Sequence, residues 1–262
     1  MESLITKLFL MSGQSLVLSP TVVVKHPTIE DVMAINGGFL CEDYYWSYVY
    51  TLLSDPYDNM VYLDDNGLDY ETVSPLLVFS LRWLDAEASA YKDAEGAFAF
   101  SLMRDALRFF FGEREFRVST REGKPILLDA NDRNWRVGDD LYTVFADFLQ
   151  KVHCISLSDR IRPANAMAKK ILIDDMRMEQ RRKKRDKKTK PRVEPLGDAL
   201  VAALAGGSHI PSGANHHAIP IYPLLATSQA VQKKVIVQSM LNGIYTGMLK
   251  ADKLPENELR WV

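Results

Sequence analysis

The N-terminal region of the chain changes from an extended to a helical pattern within a few residues. Residues 15–25 carry many β-branched side chains around a proline, which predicts two short strands joined as a hairpin. Pro27 favours extended backbone in the residue before it, so the second strand should end there. Thr28 can cap a following helix with its hydroxyl, and Glu30 and Asp31 place negative charge in the first helical turn. We therefore expect a strand-to-helix junction at the stretch HPTIEDV.

Apolar residues recur at helical spacing through most of the remaining chain. Ser74 followed by Pro75 is a strong helix start, and Gly67 and Gly112 mark helix ends. The predicted helices cover 41–55, a short stretch before Gly67, 74–91, 98–111, 132–155 with Gly138 as a candidate start, 164–188 opened by Pro163, 196–207 and 228–252. Two of them have apolar stripes, formed by Leu141, Val144, Phe145, Phe148, Leu149 and Val152 and by Ala166, Ile171, Ile173 and Met176.

A second hairpin is predicted in the middle of the chain. Residues 115–120 and 125–129 are strand-like, and Glu122-Gly123 supplies the turn between them. The expected fold class is mainly α with small β-hairpins (α+β), a helical bundle-like body with an N-terminal and a mid-chain hairpin. Residues 1–190 should form the main domain, and residues 191–262 a C-terminal helical segment after a basic, proline-containing linker.

Composition narrows the class of protein but does not identify an activity. The chain has 262 residues, 47% of them apolar, and a net charge of −2, which favours neither nucleic acid nor a membrane surface as a partner. Two distant cysteines do not make a disulfide framework and favour a reducing compartment. We find no apolar run of about 18 residues, so no membrane contact is expected. The acidic Glu2 and the lack of a basic start argue against a signal peptide.

No catalytic signature is recognisable, so we predict no catalytic residue, no cofactor, no metal and no enzymatic activity. His209, His216 and His217 share one loop, but a zinc site needs three or four converging ligands. The acidic stretches 63–69 and 129–134 resemble calcium loops only superficially, because a leucine and an arginine occupy positions that need an oxygen ligand.

A basic run spans residues 177–192, which contain ten Lys and Arg residues and only two carboxylates. Its central members are Arg181, Arg182, Lys183, Lys184, Arg185, Lys187 and Lys188. Three interpretations are open: an electrostatic arm for nucleic acid, a solvated helix end leading into a linker, or an arm that pairs with an acidic surface. Nucleic acid is the less favoured partner, because no aromatic residues for base stacking interleave with the charges.

An aromatic cluster occupies residues 44–50 of the predicted second helix. Its members are Tyr44, Tyr45, Trp46, Tyr48 and Tyr50. Five rings around one helix cannot all face the same core, and Tyr and Trp are also enriched at protein interfaces. Core packing and a partner surface are both open at this point.

The order of these features resembles one protein family. The stretch KHPTIEDV is followed by the aromatic helix, by LDDNGLDYETVS leading into LLVF, by RFFFG, a hairpin and NDRNW. A lysine-rich helix, a short apolar helix and a last helix ending near a tryptophan complete the series. In this order the chain resembles the tail assembly chaperones, also described as tail or structural proteins, of long-tailed phages and prophages of Gram-positive bacteria.

The resemblance implies a non-enzyme that binds the phage tape measure protein in the cytoplasm of an infected or lysogenic bacterial host. Contacts with the tail tube protein and self-association would be compatible with it. The expected client surfaces are the aromatic cluster and the apolar face of the last helix, formed by Val235, Val237, Met240, Leu241 and Tyr245. Two alternatives stay open, a structural virion component such as a baseplate or tail completion protein, and a nucleic-acid-binding factor that uses residues 177–192.

Overall fold

The predicted fold class is confirmed, because the chain is mainly helical with two small antiparallel sheets. The computed structural model describes residues 5–35, 41–155, 161–186, 195–206 and 218–246. The helices are α1 (Lys7–Ser12), α2 (Ile29–Met33), α3 (Cys41–Leu53), α4 (Met60–Asp65), α5 (Pro75–Ala90), α6 (Ala94–Phe111), α7 (Asp139–Val152), α8 (Ala166–Asp186), α9 (Pro195–Ala205) and α10 (Ile221–Tyr245).

Both predicted hairpins are present. Strands β1 (Leu16–Ser19) and β2 (Val22–Val24) pair antiparallel, and so do β3 (Phe116–Arg121) and β4 (Lys124–Asp129). The turn between β3 and β4 places Glu122 at φ 54° and Gly123 at φ 77°, as a two-residue hairpin turn of type I′ requires. A third strand, β5 (Arg136–Val137), pairs with β4. It was missed at the sequence level because two residues are too few to show an alternating pattern.

Aromatic side chains dominate the main core, which is built around α3, α5, α6 and α7. The largest fully buried side chains are Trp83, Trp135, Tyr45, Tyr142, Phe79, Phe110, Phe145 and Phe148. The stripe predicted on α7 contributes Phe145, Phe148, Leu149 and Val152 to this core. Since each large aromatic ring removes a large apolar area from water, these contacts contribute strongly to stability.

The junction predicted at HPTIEDV is present and also receives the C-terminal segment. The Thr28 hydroxyl accepts the backbone N–H of Asp31, and the Asp31 carboxylate accepts the backbone N–H of Thr28. The backbone N–H of Ile29 donates to Ile219, and that of Ile221 donates to the carbonyl of Pro27. Residues from the last third of the sequence are therefore hydrogen-bonded to this early junction.

The C-terminal segment shares the core of the main body. Leu196 of α9 and Ile221 and Tyr222 of α10 belong to the same apolar cluster as Trp83 and Phe145. In the described ranges, residues from 195 onwards therefore complete a core that begins at residue 5, although the sequence suggests a split near Pro191.

Several helix starts differ from those predicted. α6 begins at Ala94, four residues early, because the Asp93 side chain accepts the N–H of Gly96. α8 begins at Ala166 rather than directly after Pro163, with the Asn165 side chain accepting from Ala168. α10 begins at Ile221 rather than at residue 228, because the early pairing at Pro27 and Thr28 positions its first turn.

Candidate partner-binding surface

The first part of the last helix, α10, is anchored in the body of the protein. Ile221, Tyr222, Leu224 and Ser228 are buried, and Leu224 packs with Ala199 and Ala203 of α9. One turn further along, Gly206 approaches α10 so closely that a Cβ atom there would lie 2.5 Å from Cγ2 of Val231. α9 and α10 therefore run side by side in the same direction, and α10 continues for about 20 Å beyond Val231.

Beyond Val231, α10 carries the apolar side chains that the sequence analysis predicts as a partner-binding surface. Val235 is 56% exposed, the neighbouring Ile236 is 53% exposed and Tyr245 is 83% exposed. Met240 and Leu241 are half-buried. We call Val235, Ile236, Met240, Leu241 and Tyr245 the outer α10 surface. The predicted member Val237 is buried and is not accessible to a partner in this conformation.

The aromatic cluster on α3 belongs mainly to the core. Tyr45 and Tyr48 are buried, and Tyr44 and Trp46 are half-buried and pack against the main core. Tyr50 is 56% exposed. Burial therefore places Tyr45 and Tyr48 in the core, whereas Tyr50 is the member of the cluster with most of its side chain exposed.

A buried histidine at the end of α7, His153, is hydrogen-bonded to the buried side of α3. Nδ1 of His153 lies 2.6 Å from the carbonyl of Leu149, and Nε2 lies 2.6 Å from the hydroxyl of Tyr45. A carbonyl can only accept, so Nδ1 carries the proton and Nε2 accepts from Tyr45. Burial is the main cause that lowers the pKa of His153 to about 4, which keeps the ring neutral.

A buried carboxylate of α3 fixes the start of α9. The Glu42 carboxylate accepts the backbone N–H of Leu196 at 2.5 Å and the indole N–H of Trp46 at 3.3 Å. The first N–H groups of a helix have no partner within the helix and attract negative charge. Glu42 therefore caps α9 from another helix, a role that no local pattern around either residue could have revealed.

The first part of the basic run is paired within the chain. Arg177 contacts Asp64 at 3.1 Å and Asp65 at 2.7 Å, and these carboxylates lie in the stretch that superficially resembled a calcium loop. Arg181 and Arg182 are exposed. Two sets of residues lie outside the described part: the side chains of Lys183, Lys184 and Arg185, and the whole of Lys187, Lys188, His209, His216 and His217.

A groove between α5 and α6 has a volume of about 390 Å³, and Tyr62, Arg82 and Asp85 are among its lining residues. The hydroxyl of Tyr62 donates to Asp85 at 2.5 Å along the wall of this groove, and burial and Asp85 together raise the pKa of Tyr62.

Within the described ranges, no group of His, Cys, Asp or Glu is arranged to hold a metal ion. No helix described here has both the length and the apolar content needed to cross a membrane.

No protein-family model, curated protein or solved structure matches this chain.

Proposed function

We propose that this protein is a non-catalytic tail assembly chaperone that binds a helical segment of the phage tape measure protein through the outer α10 surface. The observation that carries the proposal is the exposure of Val235, Ile236 and Tyr245 on the part of α10 that follows Val231. The order of sequence features that resembles the tail assembly chaperones supplies the identity of the client.

The chemistry of the outer α10 surface suits a reversible helical partner. An amphipathic client helix can lay its apolar stripe along Val235 and Ile236, and burying each such side chain contributes about 1–2 kcal/mol. The half-buried Met240 is flexible and polarizable, so it can adapt to different client side chains. A chaperone needs contacts of this kind, because it must cover apolar faces of the client without holding them permanently.

The body of the protein holds α10 in place through its first turns. The first turns of α10 are hydrogen-bonded to the junction at Pro27 and buried in the main core, and Glu42 caps the neighbouring α9. A client can therefore bind the outer half of α10 while the aromatic core stays intact. This arrangement favours α10 over α3 as the client surface, because most rings of α3 already pack inside the protein.

The direct test is binding of the purified protein to helical fragments of the tape measure protein from the same phage or prophage. The double variant Val235→Asp/Ile236→Asp should weaken binding at least tenfold, because two carboxylates would be placed in the apolar contact. A matched control is Leu84→Asp/Tyr91→Ser, which changes two exposed apolar residues of α5 and its end. Circular dichroism should show that both variants are folded.

Unchanged binding by the α10 variant, or equal weakening by both variants, would exclude the outer α10 surface as the client site. Mass spectrometry of purified particles separates the chaperone from a structural virion component. A chaperone should be absent from finished tails or present far below the tube subunit, whereas a baseplate or completion protein should be present in a fixed ratio.

A further inference from the structure

Helix α8 is attached to the body through two ion-pair groups on its inner face. Lys169 pairs with Asp69 and with Glu71, and its Nζ lies 4.6 Å from the centre of the Tyr70 ring. Two turns later, Arg177 pairs with Asp64 and Asp65. Both basic side chains therefore hold one acidic segment, residues 64–71, at points about 12 Å apart along the helix.

The apolar contact between these ion pairs is small. Ile173 is the buried α8 side chain in a satellite cluster with Met60, Leu63 and Tyr70, and this cluster is separate from the main core. Leu172 and Met176 pack against it and are half-buried, whereas Ile171, predicted to share the apolar face, is exposed. The stripe on α8 is consequently narrower than that on α7.

We propose that α8 is an electrostatically latched arm, which detaches from residues 64–71 and opens as a unit while the rest of the protein stays folded. The physical reason is the balance of forces at this contact. Ion pairs that are partly exposed are weakened by salt, and one buried isoleucine with two half-buried neighbours supplies few contacts that are independent of salt. Regions with few buried apolar contacts open locally at lower free energy than the global transition.

Detachment of α8 would expose charged and apolar groups that it covers in the closed structure. The acidic segment 64–71 and the satellite cluster would lose their cover, and Lys169 and Arg177 would join the exposed arginines at 181 and 182. This device goes beyond the proposed client binding, because it concerns α8 and not the outer α10 surface.

Hydrogen–deuterium exchange of the full chain tests the latch. Between about 0.05 and about 1 M NaCl the screening length falls from above 10 Å to about 3 Å, which should weaken the ion pairs. Amides of residues 168–177 should exchange at least tenfold faster at high salt, while amides of α7 should keep their protection. Equal protection of α8 and α7 at both salt concentrations would overturn the proposal.

Charge removal provides an independent test at low salt. Lys169→Gln/Arg177→Gln should speed exchange in residues 168–177 at least tenfold, and the control Lys170→Gln removes an exposed positive charge from the same helix without touching the latch. Reversing both ion pairs of Lys169, by Lys169→Glu with Asp69→Lys and Glu71→Lys, should restore most of the protection lost in Lys169→Glu alone. If the double variant also loses protection in α7, α8 is not a separable arm and the proposal fails. The measurement needs no client, so its failure is distinct from a failure of the proposed function.

Discussion

The hydroxyl of Tyr45 donates to Nε2 of His153 across 108 positions of sequence, and the two groups meet in the centre of the core at 2.6 Å. His153 also donates from Nδ1 to the carbonyl of Leu149, so both nitrogens of the neutral ring have partners. The hydrogen bond links α3 to the residue that ends α7. Because the histidine is buried, its protonation state affects the stability of the core.

We expect the protein to lose stability in mild acid because of His153. Its pKa is about 4 in the folded protein and 6.5 for an ordinary histidine. Since the unfolded chain binds the proton more readily, the stabilisation is complete above pH 6.5 and is lost as the pH falls towards 4. The loss amounts to about 3 kcal/mol. Burial also lowers the pKa of His26, which adds to the loss in the same direction.

Denaturant unfolding between pH 7.5 and pH 4 measures this loss. The variant His153→Gln has no titrating group there and should show a shallower dependence of the free energy of unfolding on pH. The carboxylates with lowered pKa, Asp69 and Asp129, lose their stabilising contribution mainly below their ordinary pKa of 3.8, so they contribute little to the change between pH 7.5 and pH 4. An NMR titration in which His153 protonates near pH 6.5 in the folded protein would contradict the prediction.

Removing the Tyr45 hydroxyl should destabilise the fold without changing its shape. Tyr45→Phe leaves Nε2 of His153 buried without a donor, and a buried polar atom that loses its partner costs about 1–3 kcal/mol. Tyr50→Phe, on the exposed side of the same helix, should change the free energy of unfolding by less than about 0.5 kcal/mol. Chemical denaturation of both variants measures the difference, and equal stability of the two would exclude an energetic role for this hydrogen bond.

Loss of the Glu42 carboxylate should loosen α9. Glu42→Ala leaves the buried N–H of Leu196 and the indole N–H of Trp46 without this acceptor, at a cost of about 1–3 kcal/mol. Glu42→Gln retains an acceptor and should cost less. Amide exchange in residues 196–205 should be faster in Glu42→Ala, whereas Glu95→Ala, an exposed first-turn change in α6, should leave it unaltered. Unchanged protection of α9 in Glu42→Ala would show that the cap does not hold the helix.

The contact between α5 and α6 should tolerate no side chain at Gly96. A Cβ atom there would lie 2.5 Å from the backbone carbon of Ser89, so the two helices would have to separate. Gly96→Ala should therefore destabilise the protein by about 1–3 kcal/mol, although glycine to alanine in a helix is usually favourable. At Gly138, where nothing lies within 4 Å of the added atom, the same change should cost less than about 1 kcal/mol. Thermal melts of the two variants should show the difference, and similar melting temperatures would mean that α5 and α6 adjust freely.

Helix starts and turns were predictable where the signal is local. Thr28 and Ser74 cap the helices that their positions predicted, because a hydroxyl needs only the N–H groups two or three residues ahead of it. The turn at Glu122-Gly123 was predictable for a similar reason, since glycine adopts positive φ at little cost. The stripe of α7 was also recognisable, because its apolar residues follow the helical repeat closely.

The candidate surface was only partly predictable. Val235 and Tyr245 are exposed as expected, but Val237 is buried, and Ile236 completes the surface without having been nominated. α10 is apolar on several sides, so helical spacing could not show which side meets α9. The same ambiguity applied to the aromatic cluster, where the buried Tyr45 is hydrogen-bonded to His153, which lies 108 positions away in the sequence.

Local signals in the amino-acid sequence were sufficient to predict most of the helices, the two hairpins and the mainly α fold class, since caps, turns and apolar periodicity act within a few residues. The short helix α1 (Lys7–Ser12) was not among the predicted helices. Contacts between distant segments decided that Tyr45 lies inside, that Glu42 caps α9 and that Lys169 and Arg177 hold α8. These outcomes depend on how whole helices pack, and the free energy of packing is set by partners that are far apart in the chain.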